Sequence, residues 1–166
     1  FENLIYKNIT SKKYENSGEG WHQGVELELE RKINSNWKVD GNLSWIETHD
    51  KDNNHDLEGA PEWLSNLSLT WQPHTGHTLT AHLRYVGDRK RSASDSRYDL
   101  EGFQAVDISG NWRRVFSSDV NLRAGVHNLF DADIRYPASF DADIRYPASP
   151  STYSNDYPQQ GRSWWL

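Results

Sequence analysis

Apolar and polar residues alternate at period two through almost every regular stretch of this 166-residue chain. That period builds β-strands with one apolar and one polar face, and it excludes amphipathic helices. The stretch Asp119 to Asp131 shows it most plainly. Val120, Leu122, Ala124 and Val126 share one parity, and Asn121, Arg123, Gly125 and His127 share the other. The same reading places a strand over residues 1–9 and a long one over 14–33, where Val25, Leu27 and Leu29 oppose Glu26, Glu28 and Glu30. Further strands run through Trp37 to Trp45, Trp63 to Trp71, Leu79 to Tyr85 and Val106 to Trp112, and a last one opens at Gly161.

The connections set the topology. Asn34-Ser35-Asn36, Pro73-His74-Thr75-Gly76 and Phe116-Ser117-Ser118 have turn composition. They alternate with long polar stretches over 49–60, 88–99 and 131–160. Eight antiparallel segments joined this way put every short turn at one end and every long loop at the other, as transmembrane barrels do.

Composition narrows the class. Only 35% of residues are hydrophobic, and mean hydropathy is -0.92. No run approaches the ~20 apolar residues of a membrane helix. A barrel strand shows lipid only every second residue, so low average hydropathy is compatible with a membrane. Cysteine is absent, which removes disulfides from the account. A net charge of -6 without a long basic run argues against nucleic acid as a partner. The chain starts at Phe1 without a signal-peptide pattern, so the start of a precursor is expected to lie outside it.

Aromatic placement agrees with a barrel. Trp37 and Trp45 stand eight residues apart on one parity, as do Trp63 and Trp71. At ~3.3 Å per residue that is roughly 26 Å along a strand, or about 20 Å of height when the strand is tilted. This matches two interfacial girdles, so all four Trp are expected to face outward. The opposite face carries Glu26, Glu28, Glu30, Lys38, Asp40, His82, Arg84, Asp107 and Arg123. A sealed core would not accept that many charges.

Five short motifs carry a family resemblance. Tyr14-Glu15-Asn16 precedes Gly24-Val25-Glu26, Pro61 opens a strand, and Tyr85-Val86-Gly87-Asp88-Arg89 follows. Val126-His127-Asn128-Leu129-Phe130-Asp131 and Gly161-Arg162 complete the series. In this order they resemble the C-terminal part of TonB-dependent outer-membrane receptors. The resemblance implies an all-β, antiparallel transmembrane barrel segment, about eight strands of a 22-stranded barrel, whose plug domain and earlier strands lie outside residues 1–166. It implies the outer membrane as location, with contacts to lipid and lipopolysaccharide. It also implies uptake of a scarce small-molecule ligand, such as a ferric siderophore, haem or cobalamin, energised by the TonB complex through the plug. No enzymatic activity and no cofactor are expected: neither a Gly-x-Ser-x-Gly elbow nor a phosphate loop occurs. An outer-membrane barrel enzyme and a soluble β-sandwich binding module are the alternatives. The first needs a Ser/His/Asp set at the rim, the second a dry face on each of two sheets.

Candidate sites fall in the long loops. Arg89, Arg91 and Arg97 form a basic loop suited to an anionic ligand or a lipopolysaccharide phosphate. A solvated charge run is the bland alternative. Tyr136, Tyr146, Tyr153 and Tyr157 are candidates for a ligand vestibule, or for a loop packing on itself. Asp50, Asp52, Asn54 and Asp56 offer oxygens at alternate positions, a partial Ca²⁺ pattern. His55 and Pro61 stand where a Ca²⁺ loop wants Gly and Glu, so a solvated loop is the expectation and no metal site is assigned. Finally, residues 130–139 recur identically as 140–149. The first copy is expected to extend the preceding strand through Leu129 and Phe130 until Pro137, and the second to lie in the loop.

Overall fold

The computed structural model describes residues 5–7, 13–16, 19–51, 56, 59–91, 97–115, 119–136 and 156–166, with backbone alone at 5–7, 14–16, 50 and 157. Eleven strands occur among them: β1 Ile5–Lys7, β2 Tyr14–Asn16, β3 Gly20–Lys32, β4 Trp37–Asp50, β5 Trp63–Trp71, β6 His77–Val86, β7 Phe103–Trp112, β8 Leu122–His127, β9 Arg135–Tyr136, β10 Tyr157–Pro158 and β11 Ser163–Trp165. Seven form one antiparallel sheet in the order β11-β8-β7-β6-β5-β4-β3. β1 pairs with β2, and β9 with β10, in separate two-stranded ribbons.

Two strand expectations are corrected here. Among the described residues the sheet has seven strands, and the long strand expected over 14–33 is β2 plus β3. In sequence, residues 17–19 separate them, Gly18 among them, and glycine weakens strand pairing. The second correction concerns the strand after Val126. β8 stops at His127, because Asn128 and Asp131 adopt left-handed backbone at φ 51° and 56°. Asn128 stabilises that turn by closing a ring on Ala132. Its Oδ1 accepts from the Ala132 N–H at 2.9 Å, and its Nδ2 donates to the Ala132 carbonyl at 2.9 Å. Asn is among the few residues that take this backbone conformation and bond their own chain. The first repeat copy therefore leaves the sheet. The second copy lies outside the described residues.

Register puts the apolar parity of every strand on one face. Trp37 pairs with Trp71 and Trp45 with Trp63, their ring centroids 5.9 and 6.4 Å apart. Between these rows, Leu29, Gly41, Leu67, Leu83 and Val106 stand side by side across five strands. Val25, Leu27, Leu29, Leu67, Leu69 and Leu79 are exposed. A water-soluble sheet would cover such a face, because each large apolar side chain gains ~1.5–3 kcal/mol on burial.

The other face is a hydrogen-bonded polar ladder. Asn66 Nδ2 donates to Asn42 Oδ1 at 3.1 Å, Ser68 Oγ meets His82 Nδ1 at 3.0 Å, and the hydroxyls of Thr70 and Thr80 lie 3.2 Å apart. Lys38 pairs with Glu30 at 2.9 Å, and Asp107 with His127 at 3.4 Å. Among the described residues the buried apolar cluster is small. Phe103, Ala105 and Ile134 form it, with Val86 and Ala132 against them. It lies on the polar parity at the long-loop end, where the first repeat copy folds over the sheet.

Candidate functional site

The long-loop end is organised by the stretch after β6. Gly87 donates its N–H to the Trp63 carbonyl at 2.8 Å, and a Cβ there would meet Trp63 backbone and side-chain atoms at 3.3–3.4 Å. Asp88 Oδ1 accepts from the Gly102 N–H at 2.6 Å, closing the neck of the loop 87–102. Arg89 and Leu100 then exchange both backbone hydrogen bonds, at 2.9 and 3.0 Å. The basic loop is thus a continuation of the β6–β7 hairpin.

That pairing turns the Arg89 side chain inward. It is only 3% exposed. Its guanidinium carbon lies 5.7 Å from the Phe103 ring centre and 5.5 Å from that of Tyr136. One Nη donates to the Arg135 carbonyl at 2.7 Å, while Nε is buried with no partner among the described residues. Burial lowers the Arg89 pKa from its ordinary value, opposed in part by the charge of Asp156. A guanidinium remains charged even so. Two aromatic faces and a carbonyl take over the stabilisation that water would give.

Arg91 and Arg97 converge on one carboxylate. Arg91 presents both terminal nitrogens to Asp156, Nη1 to Oδ1 at 2.7 Å and Nη2 to Oδ2. Arg97 Nη1 stands 3.5 Å from Asp156 Oδ1. Arg91 is also held within its own loop: its N–H donates to Asp99 Oδ1 at 3.0 Å and its Nε to the Tyr98 carbonyl at 2.7 Å. The Arg91 N–H and the neighbouring Lys90 ammonium, 3.3 Å away, keep the Asp99 carboxyl below its ordinary pKa.

The structure therefore gathers Arg89, Arg91, Arg97 and Tyr136 at one end of the sheet. Tyr153 lies outside the described residues, and Tyr157 contributes described backbone only, in β10. Asp52 and Asn54, with the Asp50 side chain, also lie outside them. Among the described residues no group of three or more His, Asp or Glu is gathered as for a metal ion. Sequence reasoning missed Asp156, which sits 65 residues from Arg91, and Arg84, whose guanidinium lies 5.5 Å from the Phe103 ring centre. The one signal for Asp156 was the question of which acid neutralises a basic loop.

The terminal motifs also have a structural role. Asp131 Oδ1 accepts from the Arg162 N–H at 2.8 Å, and a Cβ on Gly161 would meet that same oxygen at 2.8 Å. Arg162 Nη1 reaches the Leu129 carbonyl at 3.3 Å. The turn at 128–131 thereby docks the start of β11, whose Trp165 ring lies over Gly125 where a Cβ would clash.

Residues 1–129 match the family model described as TonB dependent receptor-like, beta-barrel. The chain belongs to the TonB-dependent receptor family. Over 136 residues it is 26% identical to the ferric enterobactin receptor of Pseudomonas aeruginosa, covering 76% of this chain and 18% of that protein. Its fold is similar to the ferric-catecholate import receptor Fiu from Escherichia coli K12, with a TM-score of 0.68 and 22% identity over 98% of this chain and 22% of that one. The copper transporter OprC gives a TM-score of 0.74 at 22% identity, over 98% of this chain and 26% of that one. The receptor segment thus spans about a fifth to a quarter of these relatives' lengths. TonB-dependent receptors are transport proteins of the Gram-negative outer membrane, and not enzymes. In that setting the Trp-flanked apolar face is the lipid face, the polar ladder lines the lumen, and the long loops are extracellular.

Proposed function

We propose that the receptor to which this segment belongs imports a ferric siderophore, and that the arginine cluster at the extracellular mouth receives its negatively charged groups. One observation carries the reading: Arg89, Arg91, Arg97 and Tyr136 come together at the long-loop end of the luminal face, with Arg84 beside them. The relatives named for ferric enterobactin and ferric catecholate support this ligand class. A ferric complex of catecholates is a net anion with flat aromatic edges, and guanidinium groups beside tyrosine suit both features. Tyr153 and Tyr157, which follow in the same stretch of sequence, are included in the proposal as further ligand contacts.

The plug, the earlier barrel strands and the contact with TonB belong to the rest of the receptor. Lipopolysaccharide packs against the Trp45 and Trp63 end of the lipid face. The test uses the intact receptor with Arg91 and Arg97 both replaced by Ala, and Arg89 kept because its guanidinium is sealed between Phe103 and Tyr136. Uptake of radiolabelled ferric enterobactin is expected to fall about tenfold or more, as for loss of charge-assisted contacts worth ~1.5–3 kcal/mol. Undiminished uptake would remove the cluster from the ligand path.

A further inference from the structure

The Asp156 carboxylate occupies the place in the arginine cluster where an anionic group of a ligand would bind. Arg91 grips it with both terminal nitrogens and Arg97 stands at its edge. The Arg91 and Asp156 side chains are 8% and 11% exposed. Such a fork recognises oxyanions in general, since carboxylate and other paired oxygens present the same spacing.

The fork is oriented without Asp156. The Asp99 carboxylate fixes the Arg91 backbone, the Tyr98 carbonyl fixes Nε, and Arg97 comes from that same loop. Asp156 arrives from the other side, in the stretch that leads into β10. The receptor for an anion and the anion filling it therefore sit on two separate loops. A buried ion pair is close to neutral in net stability, because desolvation of both charges offsets their attraction. Exchanging one carboxylate for another anion at the fork is accordingly close to even, so competition decides who holds it.

We propose that Asp156 is an intramolecular competitor for this anion receptor. Without ligand it fills the fork of Arg91 and Arg97. An anionic ligand takes the fork by displacing it, and the same exchange releases the Asp156 carboxylate from Arg91 and Arg97. This rests on the siderophore reading for the identity of the ligand, but not for the self-occupancy. Apparent affinity is then reduced by the fraction of time Asp156 holds the fork.

The experiment uses the intact receptor in detergent, with D156N, R91A and the double variant. D156N keeps the side-chain size and removes the competing charge. It is expected to bind ferric enterobactin about tenfold more tightly than wild type, equivalent to ~1.4 kcal/mol. R91A is expected to weaken binding, and the gain from D156N to shrink in the R91A background, where Arg97 alone still faces residue 156. A D156N variant that binds as poorly as R91A, or no better than wild type, overturns the proposal. A second readout needs no siderophore: labelling of Arg91 by phenylglyoxal, resolved by mass spectrometry, should rise several-fold in D156N. Equal labelling in both proteins overturns the self-occupancy outright. Raised labelling with no ferric enterobactin binding in any variant supports the self-occupancy and refutes the siderophore reading instead.

Discussion

Arg89 shows how one residue can be legible in type and not in role. As a member of a basic run it reads as a solvated charge, yet its backbone pairs with Leu100 and its guanidinium is sealed between Phe103 and Tyr136. Nothing in the local pattern announces this, because the sealing residues lie well along the chain and on two different segments. The arrangement makes the planar group essential. Lysine can carry the charge, but it cannot lie flat against two rings while reaching the Arg135 carbonyl. R89K is therefore expected to destabilise the mouth by about 1–3 kcal/mol, the sum of weakened stacking and a weakened charge-assisted hydrogen bond. R89M, which fills the slot and removes an Nε with no partner among the described residues, is expected to cost less than R89K. Hydrogen exchange at the amides of Leu100 to Phe103 in the intact receptor would rank the three proteins. Protection in R89K equal to wild type would refute the stacking account.

The strands were legible because lipid on one side and water on the other impose period two on all of them, and the register leaves Trp37, Trp71, Trp45 and Trp63 on one face. The end of β8 was not, since Leu129 and Phe130 continue the alternation while the Asn128 side chain diverts the backbone. Asp156 escaped for another reason: a contact across 65 residues leaves no periodic trace. The repeat adds an element-scale prediction. Because 130–139 and 140–149 are identical, deleting either copy yields the same protein. The surviving copy still supplies Asp131, Ile134 and Tyr136 in place. Only the stretch between the paired Tyr136 and Tyr157 shortens, from twenty residues to ten. Those ends are already cross-strand neighbours, so ten residues suffice to close the loop, and halving its length lowers the closure cost by about 0.6 kcal/mol. The one-copy receptor is expected to assemble and to keep its heat-modifiable migration on gels. Failure to assemble would mean that the second copy has contacts of its own.

At the scale of the whole segment, the sheet ends in two edges, β3 and β11, and neither has a partner strand among the described residues. β3 is thirteen residues long with an exposed apolar row, and Trp164 on β11 is 73% exposed. An unpaired edge of that length is a template for another strand, and hydrocarbon offers its N–H and C=O groups nothing in exchange. In the intact receptor the remaining barrel strands are expected to complete both edges, and the plug to meet the charged luminal face. The small cluster around Phe103 cannot substitute for them, since among the described residues it gathers only three buried ones at one end. Residues 1–166 expressed alone and placed in detergent are therefore expected to self-associate through β3 and β11. Light scattering coupled to size exclusion would report the mass. A monodisperse monomer that unfolds cooperatively would show that the edges are protected within the segment itself.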